Sequence, residues 1–524
     1  MIDSRARRLA VILAGLGLLG GLALALCMPW GAGLSPDSVL YVAAARNLLG
    51  GGGLGVSFDP RQFSPLTHYP PLYPVLLAGA GLSGIDPVAA AGWLGAALFA
   101  ANIVMTGRLV QLASRSAGAA ALAALLFMSA PPMAQVHTMA WSEPLFIACE
   151  LLGFIFLASY LERPRRSALL AAALAAALAC LVRYAGAALV LTGAAALAWL
   201  GRAEKKKSLA QAGFFALAGA APVVAWLVRN HLVAGSATNR AAAFHPPSLT
   251  SLSAGFDSIA GWFFPAQAPL GSVLLPLLVL LCAYPALARR SGGVSATAAV
   301  PAAKITSLLA LWSGVYVIVL FLSMAFFDAD IPLDSRILSP LYPAWLIVGV
   351  NAWAAAPASS ENRRLRMMGA ALGAILVCSQ LAGTVSWLAF GYRNGIGYAS
   401  RSWRESPLAR RLAGMGRAPV FTNAPEAVYL VTGLAAFGIP AKIDSQTRAP
   451  NAAYPVQLAA LLHRLQTERG VLVYFKTVTW RWYLPPEAEL AAELDLRILA
   501  REDDGTLYEA GGGPKLSEKG TGEN

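Results

Sequence analysis

Long apolar runs joined by short basic connectors make up most of this chain of 524 residues. A helix needs about 20 apolar residues to cross the hydrocarbon core of a membrane. Applied to this sequence, that length predicts about eleven transmembrane helices. Charged residues make up only 13% of the chain, against roughly 25% in soluble proteins. The predicted helices are 9–30, 87–107, 117–135, 143–160, 168–183, 184–201, 209–229, 268–288, 305–327, 337–357 and 368–391.

The basic connectors predict how these helices are oriented. Cytoplasmic loops are enriched in Lys and Arg, so we expect a cytoplasmic N-terminus, with residues 31–86 and the C-terminus outside. The net charge of +13 is concentrated in these connectors, and the sequence has no motif typical of nucleic-acid binding. The clusters that fall on the predicted cytoplasmic side are Arg5, Arg7 and Arg8; Arg108 and Arg115; Arg163, Arg165 and Arg166; Arg202 with Lys205, Lys206 and Lys207; Arg289, Arg290 and Lys304; and Arg363, Arg364 and Arg366.

Two short helices are predicted in the external loop 31–86. Ser38–Leu49 has helical spacing and is expected to lie along the membrane surface. Gly50 to Gly53 end that helix, because consecutive glycines leave the backbone too free to stay helical. The apolar segment Tyr69–Leu82 is short and contains three prolines, so it is predicted to be a second interfacial helix and not a span.

The composition changes after Tyr392, where charged and amphipathic segments replace the apolar runs. Strand-like runs at 419–422, 470–475 and 494–499 alternate with helical stretches near 425–433 and 455–468. The predicted fold is therefore an all-α polytopic membrane protein with a small C-terminal α/β extracytoplasmic domain. Its predicted parts are a transmembrane domain over 1–392, the external domain over 393–511 and a disordered tail over 512–524.

The five cysteines all lie in apolar runs, and none is spaced like a zinc ligand. We expect each to be a free thiol that packs as a small hydrophobic side chain. They are Cys27, Cys149, Cys180, Cys282 and Cys378.

Three carboxylates lie at costly positions at or within the predicted membrane. Asp37 follows the first span, and it either caps the next helix or serves a reaction. Glu143 precedes Pro144 at the start of a span, where it either complements the helix dipole or shares an acceptor site with Asp37. Glu150 lies seven residues further on, so it must face the bundle interior, where it either pairs with an arginine or has a functional role.

A second group of candidates is cationic. His68, Arg183, Arg229, Arg240 and Arg336 lie in the loops predicted to be external. Guanidinium groups around one cavity suit the oxygens of a phosphate, although each arginine alone could instead extend to the membrane surface or neutralise a carboxylate.

One pair of acidic residues suggests a metal. Asp328 and Asp330 could bind a divalent cation, the one cofactor that the sequence suggests, or form a solvated turn.

Several motifs occur in an order that resembles the integral-membrane glycosyltransferases of the GT-C class. The similarity is to the bacterial branch related to protein O-mannosyltransferases and lipid A aminoarabinose transferases, and it covers roughly residues 9–392. The matching motifs are Ser35-Pro36-Asp37, His68-Tyr69-Pro70-Pro71-Leu72-Tyr73-Pro74, Trp141-Ser142-Glu143-Pro144-Leu145-Phe146, and Arg336 through Pro343, while Thr422 through Leu430 is similar to the start of the family's external domain.

This resemblance implies that a sugar carried on polyprenyl phosphate is transferred outside the bacterial cytoplasmic membrane. Asp37 then matches the family's first-loop catalytic residue and Glu143 its second acidic position. His68 lies near the place where some relatives have a phosphate-binding lysine. Because Ser38 follows Asp37, the Asp-Glu pair of the protein O-mannosyltransferases is absent.

The function predicted at this stage is glycosyl transfer to a lipid, glycan or protein acceptor. Asp37 is the expected base, and Glu143 positions or assists the acceptor. Arg336, with Arg183 or Arg229 and with His68, is expected to hold the donor phosphate. Tyr69, Tyr73 and Arg240 are expected to position the substrates. The alternatives are a transporter or flippase of lipid-linked sugars, which would be expected to show inverted repeats and broken helices, and a non-catalytic partner of such an enzyme.

Overall fold

The computed structural model describes residues 4–59, 62–200, 205–240, 242–262, 296–355, 363–416, 418–434 and 436–511. These residues form two compact units. Unit 1 contains the chain up to Leu54 and from Pro65 to Gly397, and unit 2 contains Gly55–Ser64 and the chain from Tyr398 onward. The division thus falls a few residues after the predicted boundary at 392, and a short piece of the first loop belongs to unit 2. The predicted tail 512–524 lies outside the described residues.

Unit 1 is a bundle of helices with short helical pieces between them. Its described helices are Ser4–Leu26 (α1), Pro36–Leu49 (α2), Leu72–Gly81 (α3), Pro87–Ser114 (α4), Ala117–Ser129 (α5), Pro131–Thr138 (α6), Glu143–Glu162 (α7), Arg166–Val182 (α8), Ala187–Leu200 (α9) after a 3-10 turn at Tyr184–Gly186, Lys205–Ala234 (α10), Leu249–Gly261 (α11), Ala296–Phe326 (α12), Ser335–Leu338 (α13), Leu341–Ala354 (α14) and Arg363–Asn394 (α15).

Ten of the eleven predicted helices overlap helices of the structure, and the predicted helix 268–288 lies outside the described residues. Among the described residues, six helices are long and apolar enough to cross a membrane. The count rises to seven if α5 and α6, which meet at 58°, form one bent span. Pro131 explains this bend, because the residue before a proline is driven out of the helical region and Ala130 is extended. The total of eleven spans remains a prediction.

Small residues allow α1 and α4 to pack closely. Gly17 and Gly21 stand four residues apart on α1, and a Cβ at Gly17 would lie 2.8 Å from the carbonyl oxygen of Ala100 on α4. A Cβ at Gly21 would lie 3.0 Å from the carbonyl oxygen of Ala96. Such spacing is typical of helix pairs in membranes, where close van der Waals packing replaces the hydrophobic effect as the main attraction.

The start of α2 corrects one interpretation of Asp37. Ser35 is the N-cap, since its side chain accepts a hydrogen bond from the backbone of Ser38, and Pro36 occupies the first helical turn. Asp37 therefore lies inside the helix and does not cap it. The helix ends at Gly50, as the glycine run predicts, and α3 begins at Leu72 within the segment predicted to be interfacial.

The cysteines follow the prediction with one exception. Cys27, Cys149 and Cys180 are buried free thiols, whereas Cys378 is exposed. Cys378 lies on α15, and only 11% of the apolar stretch of that helix is buried. Most side chains of α15 therefore lie outside the bundle. Cys282 is outside the described residues.

Unit 2 contains a five-stranded mixed sheet with helices between its strands. The strand order is β4-β3-β5-β7-β6, in which β3 is parallel to β4 and β5, and β7 is antiparallel to β5 and β6. Phe421, Leu472 and Tyr508 of this sheet share a hydrophobic core with Leu461 and Leu465. The elements are Gly55–Asp59 (β1), Gln62–Pro65 (β2), Arg401–Arg404 (α16), Pro407–Gly414 (α17), Val420–Thr422 (β3), Pro425–Thr432 (α18), Ala436–Gly438 (β4), Tyr454–Thr467 (α19), Val471–Phe475 (β5), Glu487–Glu493 (α20), Leu496–Glu502 (β6) and Gly505–Ala510 (β7).

We predict that Gly17→Ala lowers the melting temperature of the protein in detergent. The added methyl group must push against the backbone of α4, and overpacking of this kind typically costs about 1–3 kcal/mol. Gly15→Ala is the matched control on the same helix, because a Cβ at Gly15 meets nothing within 4 Å. Equal melting temperatures for the two variants would contradict the close packing of α1 on α4.

Candidate active site

Backbone hydrogen bonds join the chain segment that precedes Asp37 to the one that precedes Glu143. The amide of Gly33 donates to Thr138 at 2.9 Å, and the amide of Ala140 donates back to Gly33 at 2.8 Å. The indole of Trp141 donates to Oγ of Ser35 at 2.8 Å. These contacts bring the first turns of α2 and α7 together, although about a hundred residues separate them in the chain.

Four charged side chains form one continuous chain of ion pairs at this junction. Arg336 contacts Oδ2 of Asp37 at 2.7 Å through one terminal nitrogen and Oε1 of Glu143 at 2.6 Å through Nε. Arg183 contacts the same Oε1 of Glu143 at 2.6 Å. The order is Asp37, Arg336, Glu143, Arg183, and the two negative charges balance the two positive ones. We call these four residues the charged quartet.

The two carboxylates of the charged quartet differ in exposure. The Glu143 side chain is 1% exposed, whereas the Asp37 side chain is 28% exposed. Oε2 of Glu143 is buried and has no hydrogen-bond partner among the described residues. Asp37 is therefore the more accessible of the two carboxylates, and Glu143 is enclosed by the protein.

Neighbouring groups hold Arg336 in place. Asp334 caps the single turn of α13, since its Oδ1 accepts from the backbone amides of Arg336 and Ile337, both at 3.0 Å. The guanidinium of Arg336 lies 4.4 Å from the ring centre of Trp141, a cation–π contact. Arg183 is similarly held, because it donates to Oγ of Ser142 at 3.1 Å.

Asp37 is stabilised as a carboxylate. Burial alone would raise its pKa, but Arg336, the hydrogen bond from Tyr69 and the more distant Arg183 together hold the pKa below its ordinary value of 3.8. The hydroxyl of Tyr69 donates to Oδ1 of Asp37 at 2.7 Å. Burial and the charge on Asp37 raise the pKa of Tyr69, so the phenol keeps its proton and remains a donor. Asp37 is therefore ionised at neutral pH.

A second polar group lies beside Tyr69. Arg240 donates to Nε2 of His68 at 3.0 Å, and Nε of Arg240 lies 3.8 Å from Asp328. Burial, and then the charge of Arg240, lowers the pKa of His68 to about 4. His68 is thus a neutral acceptor for Arg240 near pH 7, not the cation that the sequence suggested.

Arg229 differs from the other loop arginines in its partners. It donates to the carbonyl of Leu66 and to the side chain of Asn230, both at 3.0 Å, and lies 4.7 Å from the ring centre of Trp226. Among the described residues no carboxylate lies within 4.0 Å of it. Its positive charge is therefore not paired with a carboxylate there.

Among the described residues, none of the remaining candidates forms an ion pair or a hydrogen bond with the charged quartet. Tyr73 is buried, and its ring packs against Tyr41 at 5.2 Å. Glu150 is fully buried, and no arginine pairs with it in the part of the chain that the structure describes. Asp328 accepts from the backbone of Asp330 at 3.1 Å, which is a turn contact. Because Arg240 also lies against Asp328, this pair does not favour a divalent cation.

Trp141 and Asp334 are contributors that sequence reasoning did not single out. Trp141 belongs to the quoted motif Trp141-Ser142-Glu143-Pro144, and Asp334 precedes Arg336 by two residues. The sequence did contain a signal for each residue. Trp141 is an aromatic residue close to the candidate carboxylate Glu143, and Asp334 is an aspartate directly before a short helix.

One family model matches part of the chain. Residues 73–226 match the model of the family described as dolichyl-phosphate-mannose-protein mannosyltransferase. No curated protein sequence matches the chain significantly.

Several solved structures share the fold of most of this chain, although their sequences are only 11–16% identical to it. The crystal structure of ArnT from Cupriavidus metallidurans bound to undecaprenyl phosphate has a TM-score of 0.60 and 13% identity, and covers 96% of this chain and 99% of that one. The oligosaccharyltransferase AglB from Archaeoglobus fulgidus, in complex with an inhibitory peptide and a dolichol-phosphate, has a TM-score of 0.55 and 11% identity. The match covers 90% of this chain and 70% of that one. The arabinofuranosyltransferase AftD from Mycobacteria has a TM-score of 0.51 and 16% identity. The match covers 96% of this chain and 41% of that one.

These matches confirm the resemblance that the sequence motifs indicated. At identities of 11–16% they establish a shared fold and not a shared substrate. The chain is similar in fold to the GT-C class of membrane glycosyltransferases related to ArnT and to the protein O-mannosyltransferases.

Proposed function

We propose that this protein transfers a sugar from a polyprenyl-phosphate donor to an acceptor hydroxyl on the outer side of the cytoplasmic membrane. The observation that carries the proposal is the charged quartet, in which one accessible, ionised carboxylate is fixed by a buried network of arginines. The donor class is proposed by analogy with two proteins of the same fold, whose structures contain undecaprenyl phosphate and dolichol-phosphate.

Asp37 is the proposed base. In the reaction the acceptor oxygen forms a bond to the anomeric carbon of the sugar, and its proton passes to Asp37. The bond between that carbon and the phosphate oxygen breaks, and polyprenyl phosphate leaves with the electron pair. Phosphate is already a good leaving group, so the step needs a base and stabilising cations more than a general acid. No metal or other cofactor is needed for this proton balance.

Glu143 is better suited to hold the arginines than to contact the acceptor. Its buried carboxylate draws Arg183 and Arg336 to one oxygen atom. Removing one member of a buried ion network leaves an uncompensated charge, which is strongly destabilising. We therefore propose that Glu143 fixes the guanidinium that in turn orients Asp37.

We choose the residues proposed to hold the donor phosphate by asking which arginines keep a positive charge that no nearby carboxylate balances. The positive charges of Arg183 and Arg336 are balanced within the charged quartet, whereas Arg229 has no carboxylate within 4.0 Å among the described residues. Arg240 is paired with Asp328, but at 3.8 Å this contact is longer than those of the quartet. Charge-assisted hydrogen bonds to phosphate are among the stronger polar contacts. Arg229 and Arg240, with the neutral His68 orienting Arg240, are the groups proposed to hold the phosphate as its charge increases.

A reconstituted assay tests the proposal. The protein is placed in liposomes with a labelled polyprenyl-phosphate sugar and cell-envelope extract as the source of acceptor. Release of free polyprenyl phosphate that requires the acceptor supports glycosyl transfer. Movement of the labelled lipid between leaflets without cleavage would instead support a flippase.

We predict that Asp37→Asn lowers turnover by about 10²–10⁴-fold, because general-base assistance is typically worth that factor. Asp86→Asn is the control. Asp86 also pairs with an arginine, Arg46 at 2.8 Å, but it lies outside the charged quartet. It caps α4 through Val88, and asparagine caps a helix about as well as aspartate. Normal transfer by Asp37→Asn would rule out Asp37 as the base.

We predict that Arg336→Gln moves the acid limb of the pH–rate profile to higher pH. In the native protein the pKa of Asp37 lies below 3.8, so its charge is lost only as the pH falls through that lowered value. Removing Arg336 removes the main lowering influence and leaves burial, which raises the pKa. The measurement is kcat/KM between about pH 4 and 8, a range that lies above the pKa of a free aspartate and into which a raised carboxyl pKa would move. An unchanged acid limb would show that Arg336 does not set the ionisation of Asp37.

We predict that Arg229→Gln raises KM for the donor lipid by about tenfold or more, the factor expected for losing a hydrogen bond to a charged group. Arg229→Lys keeps the charge and should retain most of the donor affinity. An unchanged donor KM in Arg229→Gln would show that Arg229 does not bind the phosphate and would favour Arg183 and Arg336 instead.

A further inference from the structure

Unit 2 contains a second cluster of polar and aromatic side chains, at the carboxyl ends of its parallel strands. In the sheet, β4 lies on one side of β3 and β5 on the other. The chain therefore leaves β3 in one direction through α18 and returns in the opposite direction through α19 to form β5. Ligands of open α/β sheets bind at the crevice where the strand order reverses in this way, beyond the carboxyl ends of the strands. Here that crevice lies between β3 and β5.

Asn423 holds the two strand ends together at this crevice. Its amide nitrogen donates to the carbonyl of Phe475 at 2.9 Å, and its oxygen accepts from the amide of Phe475 at 2.9 Å. Asn423 belongs to the motif Thr422–Leu430, which the sequence marks as the start of the external domain and which the proposed reaction does not use. These two hydrogen bonds tie the carboxyl ends of β3 and β5 to each other.

A buried ion pair crosses the crevice. Arg481, in the loop after β5, contacts Glu426, in the first turn of α18, at 2.7 Å. The two side chains are only 10% and 15% exposed. The hydroxyl of the buried Tyr398 lies beside Arg481. The pair offers both donors and acceptors and carries no net charge.

Aromatic rings extend from the strand end to the surface beside this pair. Trp403 lies 4.9 Å from Phe475, Tyr398 lies 5.3 Å from Trp403, and Trp480 lies 6.4 Å from Tyr398. The last of these, Trp480, is 49% exposed. Small-molecule sites typically combine an aromatic surface with a few fixed polar groups in this way.

We propose that this crevice binds the saccharide part of the acceptor. A sugar ring presents an apolar C–H face that stacks on an exposed indole and a rim of hydroxyls that both donate and accept hydrogen bonds. A neutral arginine–carboxylate pair suits such hydroxyls better than it suits a phosphate, which needs an excess of positive charge. The inference rests on the proposed function, in which the donor's own sugar is held beside Asp37, so a separate saccharide site is left for the acceptor.

The test measures acceptor and donor KM separately in the full-length protein in lipid nanodiscs, with acceptor purified from the cell-envelope extract. Trp480→Ala is expected to raise KM for the acceptor by about tenfold, a typical loss for an aromatic side chain that a ligand covers on binding. Its kcat at saturating acceptor and its donor KM should not change. Trp482→Ala is the matched control, since Trp482 is 45% exposed but faces Arg448 and Tyr483.

A competition experiment separates binding from a structural effect. The free saccharide released from the purified acceptor should inhibit the wild-type protein competitively and inhibit Trp480→Ala about tenfold more weakly. Glu426→Gln, which keeps the shape of the side chain, should behave like Trp480→Ala. Equal acceptor KM for the two tryptophan variants, a change in donor KM alone, or an acceptor without sugar would overturn the inference. A wild-type protein that releases no polyprenyl phosphate would overturn the proposed function itself, and this inference with it.

Discussion

The shared guanidinium of Arg336 is the interaction on which the site depends. One arginine contacts Asp37 through a terminal nitrogen and Glu143 through Nε, at 2.7 and 2.6 Å. The planar fork of arginine makes two such contacts in fixed directions, which a lysine could not do. Helices that start far apart in the chain are thereby held at one point, and the accessible carboxylate acquires a defined position and charge.

Burial makes this arrangement costly, and the cost explains why each of its charges has an oppositely charged partner. Taking a charge out of water costs several kcal/mol, which is recovered only when each charge has well-placed partners. Glu143 has two arginines on one oxygen, and Asp37 has Arg336 and Tyr69. Buried ion networks seldom add much to stability compared with apolar packing. Their presence at the ends of several helices is therefore not explained by folding alone, which is why we propose a role in the reaction.

The sequence predicted the parts of this site but not their connections. Asp37 and Glu143 were visible because carboxylates next to apolar runs are expensive. Residues 37, 143 and 336 are far apart in the sequence and meet only in the folded protein. A local sequence pattern therefore could not predict that Asp37 and Glu143 both contact Arg336. The capping of α2 by Ser35 instead of Asp37 is a local fact, but Ser and Asp are equally good caps, so sequence alone could not choose between them.

In the five-stranded sheet of unit 2, β3, β5 and β6 overlap predicted segments, as do the helices near 425–433 and 455–468, whereas β4 and β7 were missed; the separate pair β1 and β2 was not predicted either. The missed β7 had a usable signal, because Asp503 and Asp504 before Gly505 form a two-residue turn between β6 and β7. Strand β4 has only three residues, too few to show a period of two. The order of the strands, which places the crevice between β3 and β5, follows from tertiary packing and could not be read from the sequence.

A double-mutant cycle on Asp37 and Arg336 tests the central claim most directly. The transfer rate is measured for Asp37→Asn, for Arg336→Gln and for the two together in the same nanodiscs. If Arg336 acts by holding and ionising Asp37, the double variant should lose about as much activity as the worse single variant, because residues that act as one unit are not additive. If the two losses multiply, the residues act independently, and the account of a shared guanidinium that organises the site is wrong.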